Sequence, residues 1–195
     1  MNLEQLPRLD SAPMLTHFPK PRVLEIGCGV GLHPILYAKR HADRCVIAIE
    51  STHERYAKFE NRLARHRNLT NVFSVHADAR IWVSQNIAPA SLERVFILYP
   101  NPYPKKRHSN LRWHSMPFTQ TLIDALEPGG VLEFSTNVRE YAQASLDTFT
   151  KDFGLGFESI FVPAQIPSLL KGDTHFERKY LESKQPCYRF CLKKI

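Results

Sequence analysis

The chain has 195 residues, 43% of them hydrophobic and 23% charged, a globular composition that excludes disorder over most of the length. No apolar run approaches the roughly 18 residues of a spanning helix, and the opening MNLEQLPRLDSAP lacks the features of a secretory signal, so no membrane partner and a cytoplasmic location are expected. A net charge of +7 and an isoelectric point near 9.3 attract polyanions, and with no basic amphipathic helix to suit a membrane surface, nucleic acid is the expected partner.

In chain order, Pro7, Pro13, Pro19 and Pro21 make residues 1–21 an extended or short-helical lead-in, because proline forbids long helices and central strands. From residue 22 short β-branched runs alternate with helical patterns. The pattern predicts strands at Arg22–Glu25, Arg44–Ile49, Val72–His76, Arg94–Tyr99 and Val131–Thr136. Helices are predicted at Leu32–Arg40, His53–Arg67, near Ile81–Asn86, at Phe118–Leu126 and at Val138–Phe149. Beyond Gly154 the alternation breaks down, and Phe157–Val162 and Tyr188–Leu192 read as two further strands close together. Such alternation is the mark of βαβ units, so the expectation is an α/β protein with one doubly wound sheet in a single domain over residues 22–195.

Three of the eight glycines fall in Glu25-Ile26-Gly27-Cys28-Gly29-Val30-Gly31, directly after the first strand and before a helix. Glycine allows a tight turn and a close approach of backbone to ligand, and the helix N-terminus favours negative charge. Glu50 ends the second strand about 20 residues on, where a carboxylate can accept both hydroxyls of a ribose. The spacing G-x-G-x-G differs from the G-x-G-x-x-G of dinucleotide sites, and Glu25 beside it would repel a pyrophosphate but attract an ammonium group. Adenosine joined to an amino acid is S-adenosyl-L-methionine. Asp78, in His76-Ala77-Asp78-Ala79 after the third strand, is placed to meet the adenine or to cap the next helix, and the two roles are compatible.

After the fourth strand comes Tyr99-Pro100-Asn101-Pro102-Tyr103-Pro104-Lys105-Lys106-Arg107-His108. Alternate prolines stiffen this loop at the sheet edge where doubly wound folds bind ligands. Lys105, Lys106, Arg107, His108, Arg112 and His114 form a basic cluster suited to RNA phosphates, and Tyr103 and Trp113 can stack on bases.

These motifs carry a resemblance. The hydrophobic-Glu-Ile-Gly-x-Gly-x-Gly arrangement resembles motif I of class I methyltransferases. The proline loop resembles the Phe-Pro-Asp-Pro-Trp-Pro-Lys-Lys-Arg-His signature of bacterial tRNA (guanine-N7-)-methyltransferases, and Thr174-His175-Phe176-Glu177 is similar to that family's Thr-x-Phe-Glu element. The resemblance implies a seven-stranded Rossmann-like sheet, mostly parallel with an antiparallel strand near the C-terminus. It implies methyl transfer from S-adenosyl-L-methionine to N7 of a guanine in tRNA, by a monomer or homodimer. Glu25, Gly27, Gly29, Gly31, Glu50, Asp78, Ala79 and Asn101 then surround the cofactor, Asn101 being also the catalytic position. Lys105, Asn137, Thr174 and Glu177 face the substrate, and Lys106, Arg107, His108 and Arg112 the RNA phosphates. No metal is expected, since no histidine pairs with another ligand at a zinc spacing.

Asn101 and Asn137 depart from the family, which carries aspartate at both positions. Asparagine keeps one acceptor oxygen but loses the charge and adds an NH₂ donor. The alternative is therefore a diverged S-adenosylmethionine-binding paralogue that methylates another substrate, or none. Elsewhere, Arg55, Lys58, Arg62 and Arg65 read as a solvated helix face opposite a core stripe of Tyr56, Phe59 and Leu63. Cys28 reads as a small residue filling the glycine turn, and the four scattered cysteines fit a reducing compartment.

Overall fold

A computed structural model of the protein describes residues 18–161 and 172–195. The lead-in over residues 1–17, and Val162 at the end of the sixth predicted strand, lie outside the described residues. Seven strands form one sheet among the described residues: β1 (Arg22–Ile26), β2 (Cys45–Glu50), β3 (Val72–His76), β4 (Leu92–Leu98), β5 (Leu126–Thr136), β6 (Gly156–Phe161) and β7 (Tyr188–Lys193). Among the described residues six α-helices accompany them: α1 (Leu32–Arg40), α2 (His53–Leu63), α3 (Ala79–Asn86), α4 (Phe118–Ala125), α5 (Arg139–Asp147) and α6 (His175–Glu182).

The strand order is β3-β2-β1-β4-β5-β7-β6. The pairs β1–β2, β2–β3, β1–β4 and β4–β5 are parallel, while β7 runs antiparallel to both β5 and β6. The chain winds outward from β1 to β3, then crosses back to place β4 on the other side of β1. The loops leaving β1 and β4 therefore diverge, opening a crevice at the carboxyl ends of these two strands. The glycine loop forms one lip of that crevice and the proline loop the other.

Period-2 alternation sends the two faces of the sheet into different surroundings. Leu24, Ile26, Ile47, Ile49, Val95, Ile97, Leu132 and Phe134 pack with Val83 of α3, Leu122 of α4 and Tyr141 of α5 in the larger apolar core. On the other face Val46 and Ala48 pack with Ile35 and Ala38 of α1 and Phe59 of α2. That second face also carries charge in the centre of the sheet, because Glu25, Phe96, Glu133 and Cys191 stand side by side in register. Glu133 is buried and paired with Arg94 at 3.1 Å and with Arg189. A buried carboxylate between two guanidiniums is tolerable where an isolated one would not be.

Several boundaries differ from the expected ones. Helix α2 stops at Leu63, not Arg67, since His66 and Arg67 offer nothing apolar at the next core-facing steps. Strand β5 begins at Leu126: Leu126 pairs with Leu92, the Glu127–Gly130 segment bulges out, and pairing resumes at Val131 opposite Arg94. Helix α5 ends at Asp147 in a wide turn over Thr148–Asp152, where Thr150 Oγ1 donates to the Leu146 carbonyl and Phe149 remains fully buried.

Candidate functional site

At the first lip, Gly27, Gly29 and Gly31 all adopt positive φ, at 70°, 61° and 72°. Gly27 and Cys28 donate their N–H groups to the Ile49 carbonyl at 2.8 and 3.0 Å, tying the loop to the end of β2. A Cβ built on Gly27 or Gly29 would meet nothing within 4 Å, so both border open space. Gly31 serves another purpose. A Cβ there would overlap the Phe59 ring, so this glycine lets α1 and α2 pack together and does not line the cavity.

Glu50 is 3% exposed and holds the loop from below. Its Oε2 accepts from the Gly29 N–H at 2.8 Å and its Oε1 from the Thr52 N–H at 2.7 Å. Each oxygen keeps a further lone pair, so these bonds leave room for ribose hydroxyls. Glu25, also 3% exposed, places Oε2 at 2.7 Å from His33 Nδ1, and its Oε1 has no hydrogen-bond partner among the described residues. Burial, and after it the carboxylates of Glu25 and Glu50, push the Cys28 thiol well above its ordinary pKa. It stays protonated and is no nucleophile.

Glu25, Gly27, Cys28 and Gly29 open into a cavity of about 370 Å³, within the roughly 300–1,000 Å³ of small-molecule sites, while Glu50 lies outside its walls. Its walls include Glu25, Gly27, Gly29, His33 and Thr174. A free carboxylate oxygen, two glycines facing open space and a helix N-terminus suit the amino-acid end of S-adenosylmethionine. Asp78 and Ala79 sit at the tip of β3, outside the cavity walls. Asp78 caps α3 by accepting from the Arg80 N–H at 2.8 Å, and hydrogen bonding from Arg80 holds its pKa low.

The second lip is held in an unusual conformation. Tyr99 and Tyr103 both adopt positive φ, 49° and 43°, which for non-glycine residues costs about 1–2 kcal/mol each. Contacts on every side enforce it. Tyr99 N–H donates to the Ser135 carbonyl at 2.8 Å and its hydroxyl to Glu177 Oε1 at 3.1 Å. Burial and the Glu177 carboxylate push the Tyr99 phenol far above its ordinary pKa, so it remains a donor. Asn101, exposed, accepts from the Tyr103 N–H at 3.1 Å. Arg112 donates to the Pro102 and Tyr103 carbonyls at 2.9 and 3.2 Å and lies over the Tyr141 ring. Its guanidinium braces the loop. Lys105 and Arg107 are exposed with no ion pair among the described residues, and His108 is half-buried against Tyr103. Lys106 opens a short 3₁₀ turn, Lys106–Leu111.

One further member of the expected basic cluster changes character. His114 accepts or donates at 2.8 Å to Ser145, and burial lowers its pKa to about 4, so it is neutral near pH 7. Trp113, expected to stack on bases, is half-buried and packs against Phe118 and the large core. On α2, Arg62 is half-buried with no partner for Nε among the described residues, so the solvated face is Arg55 and Lys58, with Lys58 paired to Glu54 at 2.6 Å, and Arg65 lies beyond the end of the helix.

Helix α6 was absent from the expected elements, yet its signal was present. Thr174-His175-Phe176-Glu177 has a capping-box sequence: Thr174 Oγ1 accepts from the Glu177 N–H at 2.9 Å, and Glu177 Oε2 reaches one residue further back, to the Asp173 N–H at 2.8 Å. Arg40 at the end of α1 grips Asp173 through two bonds of 2.7 and 3.0 Å. This clamp and the Tyr99–Glu177 bond set α6 between the two lips. Asn137 Nδ2 donates to Gln185 Oε1 at 3.1 Å, a contact an aspartate would reverse.

A family model described as "Putative methyltransferase" matches residues 19–190. A tRNA (guanine-N(7)-)-methyltransferase of Myxococcus xanthus is 31% identical over 182 residues, covering 91% of this chain and 85% of that protein. The chain belongs to this family. Another member, from Syntrophotalea carbinolica, is 43% identical over 124 residues, 64% of this chain and 53% of its own; this chain spans about half its length. A 16S rRNA methyltransferase, KamB, superposes with a TM-score of 0.68 at 16% identity, covering 92% of this chain and 89% of that one, and shares the fold. Against the signature its own sequence resembles, this member of the tRNA (guanine-N7-)-methyltransferase family carries Tyr99 for phenylalanine, Asn101 for aspartate and Tyr103 for tryptophan, and outside the signature Asn137 for aspartate. Composition hid three residues that matter here: His33, Tyr99 and Asp173. Each gains its role from a contact distant in sequence.

Proposed function

We propose that this protein transfers a methyl group from S-adenosyl-L-methionine to N7 of a guanine in tRNA, through a single methyltransferase domain over residues 22–195, in the cytoplasm. The observation that carries the proposal is the cavity at the glycine lip. It joins a cofactor cradle at Glu25, Gly27 and Gly29 to the Thr174 end of α6, and its wall includes Leu98, the last β4 residue before the proline loop that resembles the family signature. When bound, the cofactor supplies an electrophilic methyl on a sulfonium. Guanine N7 has a free lone pair and no proton to lose, so the chain needs no general base. The new bond is N7–CH₃, the bond broken is S–CH₃, and S-adenosylhomocysteine leaves as the positive charge moves to the purine.

Rate then comes from positioning and electrostatics. In this reading Glu25 holds the ammonium end, Glu50 the ribose, and Asp78 with Ala79 the adenine side. Asn101 and Asn137 offer one acceptor oxygen each to the guanine edge, Thr174 and Glu177 close the site, and Lys105, Lys106, Arg107 and His108 attract the RNA backbone. The two asparagines favour the second reading, a repurposed paralogue, because neutral acceptors grip guanine's N–H groups with about half the strength of carboxylates.

Labelled S-adenosylmethionine, incubated with tRNA lacking N7-methylguanine and followed by nucleoside analysis, tests the proposal. Label in N7-methylguanine is expected. S-adenosylhomocysteine binding without label in tRNA would refute it. The double substitution Asn101→Asp with Asn137→Asp separates the readings: a change under about tenfold fits the first, a sharp gain the second.

A further inference from the structure

We propose that His33 is a positioning residue of the cofactor site, which holds Glu25 through Nδ1 and, as imidazolium, competes with the cofactor's ammonium group for that carboxylate, so that cofactor binding expels a proton. This rests on reading the cavity as an S-adenosylmethionine site.

The geometry is specific. His33 lies in the first turn of α1 and Glu25 in β1, so the helix that follows the glycine loop reaches back to the strand before it. The two side chains are 6% and 4% exposed and meet at 2.7 Å. Both line the cavity, so the contact is part of its wall. The imidazole is also fixed from the sides: the Phe96 ring meets it edge-on with centroids 4.7 Å apart, and Tyr37 lies at 5.9 Å. Only one oxygen of Glu25 is engaged, which leaves the other for a cation in the cavity.

Charged groups reach His33 from several elements, while β4 meets it only with the Phe96 ring. Glu25 comes from β1, Glu133 from β5, Arg189 from β7, and Asp173 from the segment before α6. Glu54, Arg55 and Lys58 of α2 and His175 of α6 share the cavity wall. For His33 itself burial opposes protonation, but the charge and hydrogen bond of Glu25, aided by Glu133, outweigh burial and raise its pKa above 6.5. Without ligand the imidazole therefore holds its proton more firmly than an ordinary histidine does. An incoming ammonium would place a second cation on the same buried carboxylate, where like charges repel more strongly than in bulk water. Loss of the imidazole proton relieves this. Neutral His33 still donates Nδ1–H to Glu25 and leaves the full carboxylate charge for the ligand.

The sign follows by linkage. If the bound state holds fewer protons on His33 than the free state, affinity rises with pH, by at most tenfold per unit for one proton. The experiment is calorimetric titration of the protein with S-adenosylhomocysteine, which carries the ammonium but cannot react, between pH 5.5 and 8. For the natural chain an affinity gain of at least tenfold across this range is expected, with proton release near pH 7 detected from two buffers of different ionisation enthalpy. His33→Asn keeps a donor near the Nδ1 position without a titrating group, so its profile should be flat and its proton release absent. 5′-Methylthioadenosine, which lacks the amino-acid end, should bind with little pH dependence to both proteins. Tight binding of S-adenosylhomocysteine with no pH dependence in the natural chain, or equal slopes in the two proteins, overturns the role of His33 alone. No binding of S-adenosylhomocysteine at any pH overturns the cofactor reading and this inference together. The proton-release measurement on the natural chain needs no variant, so a poorly folding His33→Asn does not shield the proposal.

Discussion

The two lips of the crevice solve opposite problems. On the glycine side, nearly every polar group is buried and partnered: Glu50 by two backbone N–H groups, Glu25 by His33, and the loop amides by Ile49. On the proline side the backbone is equally fixed, by Arg112, by Asn101 and by the Tyr99–Glu177 bond, but the charged side chains Lys105 and Arg107 stand in solvent. The difference follows from what each side would meet. A small zwitterion is recognised by a few preorganised groups in a low-dielectric pocket, where each contact counts heavily. A polynucleotide is gathered by exposed cations acting over a wide surface, each worth little and sensitive to salt.

The sharpest way to break the glycine side is Gly31→Ala. The added Cβ combines a φ of 72° with overlap of the Phe59 ring, and α1 cannot move without dragging the loop. A loss of about 3 kcal/mol or more is expected in urea unfolding, with S-adenosylhomocysteine binding lost as well. Glu25→Gln removes the charge and leaves the shape. Calorimetry should find cofactor affinity down about tenfold to a hundredfold, since a hydrogen bond to a charged group is worth about 1.5–3 kcal/mol. RNA affinity should not change. The converse comes from Lys105→Ala with Arg107→Ala: S-adenosylhomocysteine binds as before, while the slope of log affinity for tRNA against log salt falls by about 1.5–2. If that pair instead alters cofactor binding, the two sides are not separate.

The smallest effect belongs to His114, which the sequence groups with the cations and the structure does not. At pH 7 His114→Gln should leave tRNA affinity unchanged in a filter-binding assay. Its influence lies in acid. The unfolded imidazole takes up a proton near 6.5 and the folded one only near 4, so this group lowers stability as pH falls through that window and adds nothing above it. Urea unfolding from pH 7 to 4 should therefore show a shallower decline in the variant.

Much of this was legible in the chain itself. Period-2 and period-3.6 patterns located the elements, because strands buried on both faces and amphipathic helices write their burial into hydrophobicity. β3 and α1 fall at their predicted bounds. The glycine loop, Glu50 and the proline loop declared themselves because turns, close approaches and rigid loops admit few residue types. What the sequence could not separate was a charge that faces solvent from one that braces the fold. Arg112 and Arg107 are alike in composition, and only the placement of the Pro102 and Tyr103 carbonyls makes the first a brace. His33 and Glu25 are eight positions apart and meet because a helix turns back over its strand. Tyr99 and Glu177, 78 positions apart, meet because α6 docks across the crevice. Local patterns fix which elements form, since they depend on neighbours along the chain. The protonation and partners of buried polar groups depend on neighbours in space, and those exist only once the sheet has closed its order.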